Sequence, residues 1–408
     1  MSEAKMLQLE CLEKAVAGDA VAIRSITRLQ PAGGSGDKVF PPTYEGGEYA
    51  EETRVIDGER LPCVLLDSVQ SQANRLEMAL LEWYRGCKDG EKPFPLVQVD
   101  FSGTAVAEVG IFTALEAPHR IADAVFLACE LDKKPFRHPK DPKKGSVYGQ
   151  KLETASAPNA TPIFELCPTA LLFGMWDSHG ARGGLGEKFQ RVLVSEIIGV
   201  DAVSGKRPAS RIDPLIKTTA DMPIEKLDDG SWRRVEKGKM KLSEVGLGNV
   251  TPSLRNPQTG NLNHGGVTIR FAGQTTVLSL PALRRLRFPV SQSGKTQVNE
   301  QANLAARTTL AALGLAAVAC QWPNGFSLRS RCDLVPESPE LRFDVLYPGR
   351  VEAFTLNRER ACALVIEVSK KAVKAGLPWS TQPIILRPNE ELVRVVKESR
   401  DKASKGDA

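Results

Sequence analysis

The chain has 408 residues, 42% of them hydrophobic and 6% aromatic, and a chain of this length can bury a substantial core. Its 54 basic and 49 acidic side chains give a formal net charge of +5, which excludes a histone-like excess of positive charge. No run approaches the roughly 18 consecutive apolar residues of a membrane span. Residues 1–18 also lack a secretory apolar segment, so we expect a cytoplasmic protein without a membrane partner.

Eight cysteines and four histidines are scattered along the chain. No two cysteines form a C-x-x-C pair, and several lie in apolar runs, such as Cys63 and Cys129. We interpret them as buried reduced thiols and expect neither a disulfide framework nor a metal site. No pair of carboxylates has an evident acid–base spacing, and the sequence predicts no cofactor.

Strands and helices follow each other irregularly. Periodicity and turn residues predict strands over 20–29, 61–66, 96–101, 170–176, 191–203, 267–280 and 384–386. They predict helices over 68–84, 118–131, 299–318 and 357–375 and in the charged C-terminal segment. Periodicity is lost over 204–266, and the Pro/Lys-rich segment 135–149 is expected to be a mobile loop. Because this is not the regular alternation of a Rossmann domain, an α+β fold is favoured.

Charge is distributed unevenly. Acidic residues are concentrated early, over 45–59, and basic residues cluster over 137–151, 206–217, 233–241 and 284–295. Any one basic cluster is as consistent with a solvated surface as with a ligand. Four such clusters on a nearly neutral chain favour a polyanionic partner.

The strand over 20–29 predicts a basic face. Its alternation places Arg24 and Arg28 on the same side as Ile26. The glycine-rich loop over 31–38 then exposes backbone amides and carries Lys38. These three cations are candidate phosphate contacts.

The helix over 68–84 begins at a cap formed by Asp67 or Ser68. Ser71, Asn74 and Arg75 fall opposite its apolar stripe and close to the positive end of the helix dipole. We interpret them as a phosphate-facing surface.

A second glycine-rich loop, over 177–188, carries His179, Arg182 and Lys188. Backbone amides and these donors favour a cradle for RNA phosphates, although a plain glycine-rich turn stays open. Asp177, Ser178 and His179 have the residue types of a hydrolase triad, but adjacent side chains point in different directions and cannot form one relay.

The run over 284–295 holds Arg284, Arg285, Arg287 and Lys295 without an acidic residue. Lys295 follows Gly294 in a sequence similar to a phosphate-binding P-loop. The first glycine of that motif is replaced here by Pro289, which removes an amide donor. A basic turn is therefore the better interpretation.

Aromatic residues beside basic ones are candidates for stacking on bases, although each is more often a core residue. They are Phe40, Tyr44, Trp176 and Trp232.

Five separated segments are more specific than any charge cluster. They read LQPAGGSGDKVFPPTY (29–44), VLLDSVQSQANRLE (64–77), LEAPHRIADA (115–124), PTALLFGMWDSH (168–179) and LSLPALRRLRFP (278–289). Together, over about residues 20–390, they resemble the backbone subunit of the type I-G (formerly I-U) CRISPR effector complex, or Cascade, a protein of the RAMP superfamily.

The resemblance implies a single hand-shaped RAMP-type domain over 1–408. Its palm would be a modified RRM or ferredoxin-like fold with finger insertions, formed by 20–203 and 267–390, and 204–266 would be the thumb. It implies a non-catalytic subunit that binds CRISPR RNA, repeats head to tail along the spacer and presents it for pairing with target DNA. Other effector subunits and a helicase–nuclease would be its partners.

Two other functions stay open. A RAMP-type, metal-independent endoribonuclease that processes guide RNA would use His179 as general base. A nucleotide-dependent ATPase would use Lys295.

Overall fold

A computed structural model of the chain describes residues 5–138, 140–178, 187–217, 222–238, 240–255, 260, 264–292 and 295–405. Its N-terminal part contains β1 (Lys5–Met6), α1 (Leu9–Ala17), β2 (Ala22–Pro31), β3 (Glu51–Ile56), β4 (Glu59–Asp67), α2 (Val69–Gly86), β5 (Val97–Asp100), β6 (Ile111–Thr113), α3 (Ala124–Leu127), β7 (Cys129–Leu131), β8 (Lys134–Pro135), α4 (Val147–Leu152), α5 (Thr161–Leu166), α6 (Pro168–Phe173), β9 (Met175–Trp176), β10 (Lys188–Phe189) and β11 (Leu193–Val200).

The C-terminal part begins with short strands. It contains β12 (Val203–Lys206), β13 (Ala209–Arg211), β14 (Pro223–Lys226), β15 (Trp232–Arg234), β16 (Met240–Lys241), β17 (Val250–Ser253), β18 (His264–Thr268), β19 (Phe271–Ser279), α7 (Leu280–Arg285), β20 (Val290–Gln292), β21 (Lys295–Gln297), α8 (Glu300–Gln321), β22 (Phe326–Arg329), β23 (Cys332–Pro336), β24 (Arg342–Tyr347), β25 (Arg350–Thr355), α9 (Arg358–Lys374), β26 (Ile384–Pro388) and α10 (Glu390–Lys405). Helices and several separate sheets make this an α+β fold, as predicted.

The largest sheet has the strand order β1-β25-β24-β2-β19-β11-β4-β3, and the β22–β23 hairpin pairs with the end of β2. Within it, β24, β2, β19 and β11 are antiparallel neighbours. Helices α2 and α8 cover one face, where Gln72 of α2 and Gln321 of α8 both hydrogen-bond with Gln274 of β19. Along the chain these elements run β2-α2-β11-β19-α8-β24, a βαββαβ order.

The two faces of β2 differ as its alternation predicts. Ile23, Ser25 and Leu29 are buried beneath the helices, whereas Ile26 and Arg28 are exposed on the opposite face. We call this second side the open face of the sheet.

Helix α8 forms the centre of the core. The chain over Glu300–Asn324 is, among the described residues, the one helix long and apolar enough to cross a membrane, but 89% of its most apolar window is buried inside the protein. It packs against α9, α2, α1 and α6, which is the environment of a core helix in a globular protein.

The segment over 204–266 is more regular than its sequence predicted. Strand β12 pairs with β18, β13 pairs with β17, and β14 pairs with β15 and β16, all antiparallel. This segment joins β11 to β19, two neighbouring strands of the main sheet. We call it the arm. The strands of the arm are too short to show an apolar period, so periodicity does not predict them.

Polar side chains cap three of the predicted helices, and the cap that the sequence predicted for α2 at Asp67 or Ser68 is formed by Ser68. Side chains of Ser68, Asn299 and Asn357 accept hydrogen bonds from the first turns of α2, α8 and α9. The helix predicted over 118–131 is wrong: a 3-10 turn, the short α3 and β7 replace it, because Arg120 has a positive φ and Asp123 starts a new helix.

The strand predicted over 170–176 is also wrong for most of its length. Residues up to Phe173 form α6, which has Pro168 in its first turn, and only Met175–Trp176 form a strand. Sequence periodicity does not distinguish a short buried helix from a short buried strand, because both are continuous apolar runs. Gly174, with a φ of +83°, makes the turn between them.

Asp67 anchors α2 to the β22–β23 hairpin. Its fully buried carboxylate accepts hydrogen bonds from Ser71 Oγ (2.8 Å), Gln72 Nε2 (2.6 Å) and Arg75 Nε (3.0 Å), and Arg329 lies 3.5 Å away. Arg75 also donates to the carbonyl oxygens of residues 327 and 328.

We expect Asp67→Ala to lower the free energy of unfolding by about 3–5 kcal/mol, because two guanidinium groups lose their buried counter-charge. Glu225→Ala is the control, since its ion pair with Arg233 is exposed and should contribute less than about 1 kcal/mol. Urea titration measures both. Equal losses in the two variants would contradict the anchoring role of Asp67.

Candidate nucleic-acid interface

The predicted binding residues lie in several separate places. Arg24 and Arg28 share the open face, as predicted. Arg24 pairs with Asp344 on the neighbouring strand at 3.3 Å. The Arg28 guanidinium lies 3.9 Å from the centroid of the Phe271 ring and 3.3 Å from a Glu337 oxygen. Both charges on this face therefore have carboxylate partners.

Ser71, Asn74 and Arg75 lie on the other side of the sheet, because α2 covers the face opposite Arg28. Asn74 is exposed, but Ser71 and Arg75 donate to Asp67. These two side chains connect α2 to its surroundings. The predicted residues of β2 and those of α2 therefore lie on opposite sides of the sheet. Binding of RNA by the three residues stays a prediction.

Of four other predicted residues, Lys38 alone has a side chain among the described residues. Lys38 is half-buried, and its Nζ lies 3.4 Å from the carbonyl oxygen of Lys206, at the base of the arm. His179 and Arg182 lie outside the described residues, as does the side chain of Lys295.

The arginines after β19 have different environments. Arg284 donates to the carbonyl oxygens of Ala15 and Ala20 at the end of α1, at 3.2 and 2.8 Å. Arg287 donates to the carbonyl oxygen of Arg284 at 2.6 Å. Arg285 is exposed and bonds with the side chain of Gln190. Of the three, Arg285 is the one whose guanidinium faces solvent.

A cleft of about 580 Å³ joins several of these positions. It is lined by Gln70, Pro118, His119, Arg120, Phe173, Gly174, Met175, Trp176, Lys188, Phe189, Gln190 and Arg191. The Trp176 side chain is 50% exposed, and the Lys188 ammonium group lies 4.8 Å from its ring centroid. Arg285 reaches the rim through Gln190. We call this the Trp176 cleft.

The Trp176 cleft is electropositive. Among the described residues, none of Lys188, Arg191 and Arg285 has a carboxylate oxygen within 4.0 Å. An exposed indole beside unpaired cations can stack on a base while the cations bind the adjacent phosphates. This arrangement recognises single-stranded nucleic acid without reading its sequence.

A buried ion pair positions the strand that carries Trp176. Arg120 donates to both carboxylate oxygens of Glu77, each at 2.7 Å, and to the carbonyl oxygen of Gly174 at 2.9 Å. Gly174 immediately precedes β9. A Cβ atom there would lie 3.1 Å from the carbonyl oxygen of Phe189, so glycine permits the close approach of β10.

The sequence identified only part of this cleft. It singled out Trp176, Lys188 and Arg285 separately, whereas Gln70 and Arg191 were missed because they are ordinary polar residues on distant segments. Of the other aromatic candidates, Tyr44 and Trp232 are substantially exposed, and Phe40 is half-buried beneath Arg331.

The cysteines are free, and five of the eight are buried. Burial raises the pKa of Cys129 to about 12, as expected of an unreactive thiol. No group of three or more His, Cys, Asp or Glu side chains among the described residues could hold a metal ion.

Residues 23–204 match a family model described as CRISPR-associated protein GSU0053, in agreement with the resemblance that the motifs indicated. The match covers less than half of the chain. No curated protein matches the chain. The crystal structure of Thermofilum pendens Csc2 aligns with 92% of this chain and 82% of its own, at 13% identity and a TM-score of 0.27. A similarity this low carries no argument about fold or function.

The Glu77–Arg120 pair predicts a pH dependence of stability. Burial raises the pKa of Glu77 from 4.5 to about 7, against the opposing effects of Arg120 and Thr169. The folded protein therefore holds a proton that the unfolded chain releases, and stability should fall as the pH rises from about 4.5 to about 7.

Glu77→Gln should remove this contribution, so its free energy of unfolding should change less between pH 5 and pH 7 than that of the wild type. Glu82→Gln, an exposed carboxylate on the same helix, should leave the pH dependence unchanged. Urea titrations at several pH values measure both. A wild-type slope in the Glu77 variant would refute the assignment.

Proposed function

We propose that this CRISPR-associated chain is a non-catalytic RNA-binding backbone subunit of a type I-G effector complex. It holds the guide by its phosphates and by base stacking, independently of sequence. The observation that carries the proposal is the Trp176 cleft, where an exposed indole lies among cations that have no carboxylate partner in the described part of the chain. A backbone subunit must accept any spacer, and these groups do not distinguish one base from another.

The order of elements supports a RAMP-type palm. The strands β24-β2-β19-β11, with α2 and α8 on one face, follow the βαββαβ pattern of a ferredoxin-like or RRM fold. The arm extends between β11 and β19, in the position proposed for the thumb, and the exposed Trp232 lies on it. The remaining large insertion, between α2 and β11, holds the Trp176 cleft.

The wider role follows from the same assignment. In this proposal, copies of the chain repeat head to tail along the CRISPR RNA, which pairs with target DNA in the cytoplasm. Contact between unlike surfaces extends as an open helix until other subunits end it. Base pairing with the guide, and not this chain, reads the target sequence. Processing of the guide and cleavage of the target belong in this proposal to other subunits and to a helicase–nuclease.

RNA binding tests the proposal directly. Trp176→Ala should weaken binding of single-stranded RNA roughly tenfold, because base–aromatic stacking contributes about 1–3 kcal/mol. Joint replacement of Lys188, Arg191 and Arg285 by Gln should reduce the slope of log affinity against log salt by about 2, since each lost phosphate contact removes about 0.7. Gel shifts on unrelated spacer sequences measure both effects.

Joint replacement of Lys370, Lys374 and Lys397 by Gln is the charge control. This variant should bind RNA as the wild type does, and the RNA should stay intact throughout. Cleavage of the RNA would favour an endoribonuclease. Absence of binding by the wild type, alone and with partner subunits, would reject an RNA-binding role.

A further inference from the structure

A lysine-rich segment is joined by a buried ion pair to Asp177, the residue that follows Trp176. The exposed lysines between β7 and α4 are Lys133, Lys134, Lys140, Lys143 and Lys144. Among the described residues, Lys144 alone of these has a carboxylate within 4.0 Å, that of Asp141 at 3.8 Å. The other four ammonium groups have no carboxylate of a described residue within that distance.

The base of this segment, which the sequence predicts to be a mobile loop, is packed and hydrogen-bonded. Ser146 is buried, donates to the carbonyl oxygen of Phe136 at 2.8 Å and caps α4 by accepting from the Gly149 amide. A Cβ on Gly149 would lie 1.9 Å from the carbonyl oxygen of Phe136, so only glycine fits. The lysines are therefore presented by a closed loop with a packed base.

Arg137 links this loop to the Trp176 cleft. Its buried guanidinium donates to Glu153 Oε1 at 2.6 Å and to Asp177 Oδ2 at 2.7 Å. Burial alone would lower the pKa of Arg137, but the Asp177 and Glu153 carboxylates raise it more, so the charge stays. Asp177 directly follows Trp176, and its amide donates to the carbonyl oxygen of Glu187, which precedes Lys188.

The geometry points to an additional binding segment for the phosphates of the guide RNA. We propose, on the basis of the proposed function, that the five loop lysines extend the phosphate path from the Trp176 cleft. Arg137 is the positioning residue that holds these lysines beside the cleft. Ammonium groups on long flexible stems bind phosphates as point charges without reading bases. The salt bridges of Arg137 hold the foot of the loop beside the Trp176 cleft, where a nucleobase would stack. The lysine side chains themselves stay free to change rotamer.

The first test replaces all five loop lysines by Gln. The slope of log affinity against log salt for single-stranded RNA should fall by about 2 or more, which corresponds to three or more lost phosphate contacts. A matched control replaces Lys370, Lys374, Lys397, Lys402 and Lys405 by Gln, the same change in net charge on α9 and α10. This control should retain the wild-type slope.

The second test separates positioning from folding. Arg137→Gln should lower the slope by a similar amount, but it should add no further decrease when the loop lysines are already Gln. A purely structural role would lower the melting temperature and leave the slope unchanged in both backgrounds, which would overturn the positioning role.

The outcomes also separate this inference from the proposed function. If the wild type binds RNA and the loop variant keeps its slope, the additional segment is rejected while the Trp176 cleft stands. If the loop variant loses affinity only for duplex DNA, the assignment to guide RNA is overturned. If the wild type binds no RNA, both proposals fail together.

Discussion

Burial of a guanidinium group is unfavourable unless its donors and its charge find partners, and this constraint organises the molecule. Arg120 is bound to Glu77 and Gly174, Arg137 to Glu153 and Asp177, and Arg75 to Asp67. Arg284 and Arg307 instead donate to backbone carbonyl oxygens, those of Ala20 and Leu286 among them. Arg120 joins the insertion between α2 and β11 to α2, and Arg284 joins α7 to the end of α1.

The same constraint explains why charge clusters in the sequence were unreliable guides to a binding surface. Arg75 and Arg284 were selected because they belong to basic or polar stretches, but their donors bond within the protein. Lys188 and Arg285, chosen by the same reasoning, are exposed. The distinction depends on which carbonyls and carboxylates lie nearby in three dimensions. It therefore could not be read from the order of residues.

Local features were predicted well and long-range ones were not. The alternation of β2 and the cap of α2 at Ser68 depend on neighbouring residues, and both appear as predicted. The pairing of β2 with β19 depends on strands about 250 residues apart, across an insertion whose own short strands have little periodicity. The errors at 118–131 and 170–176 arose where positive φ angles or a proline in the first turn decided between helix and strand.

The arginines and lysines divide between two tasks for a physical reason. A planar guanidinium with five donors satisfies several acceptors at once, which suits a buried connection such as that of Arg137 with Glu153 and Asp177. A hydrated ammonium group resists burial and binds any anion that approaches it, which suits the loop over 133–144. A surface that must hold an arbitrary RNA sequence needs rigid placement of its loops and adaptable contacts at their tips. The anchoring arginines supply the rigid placement, and the lysines supply the adaptable contacts.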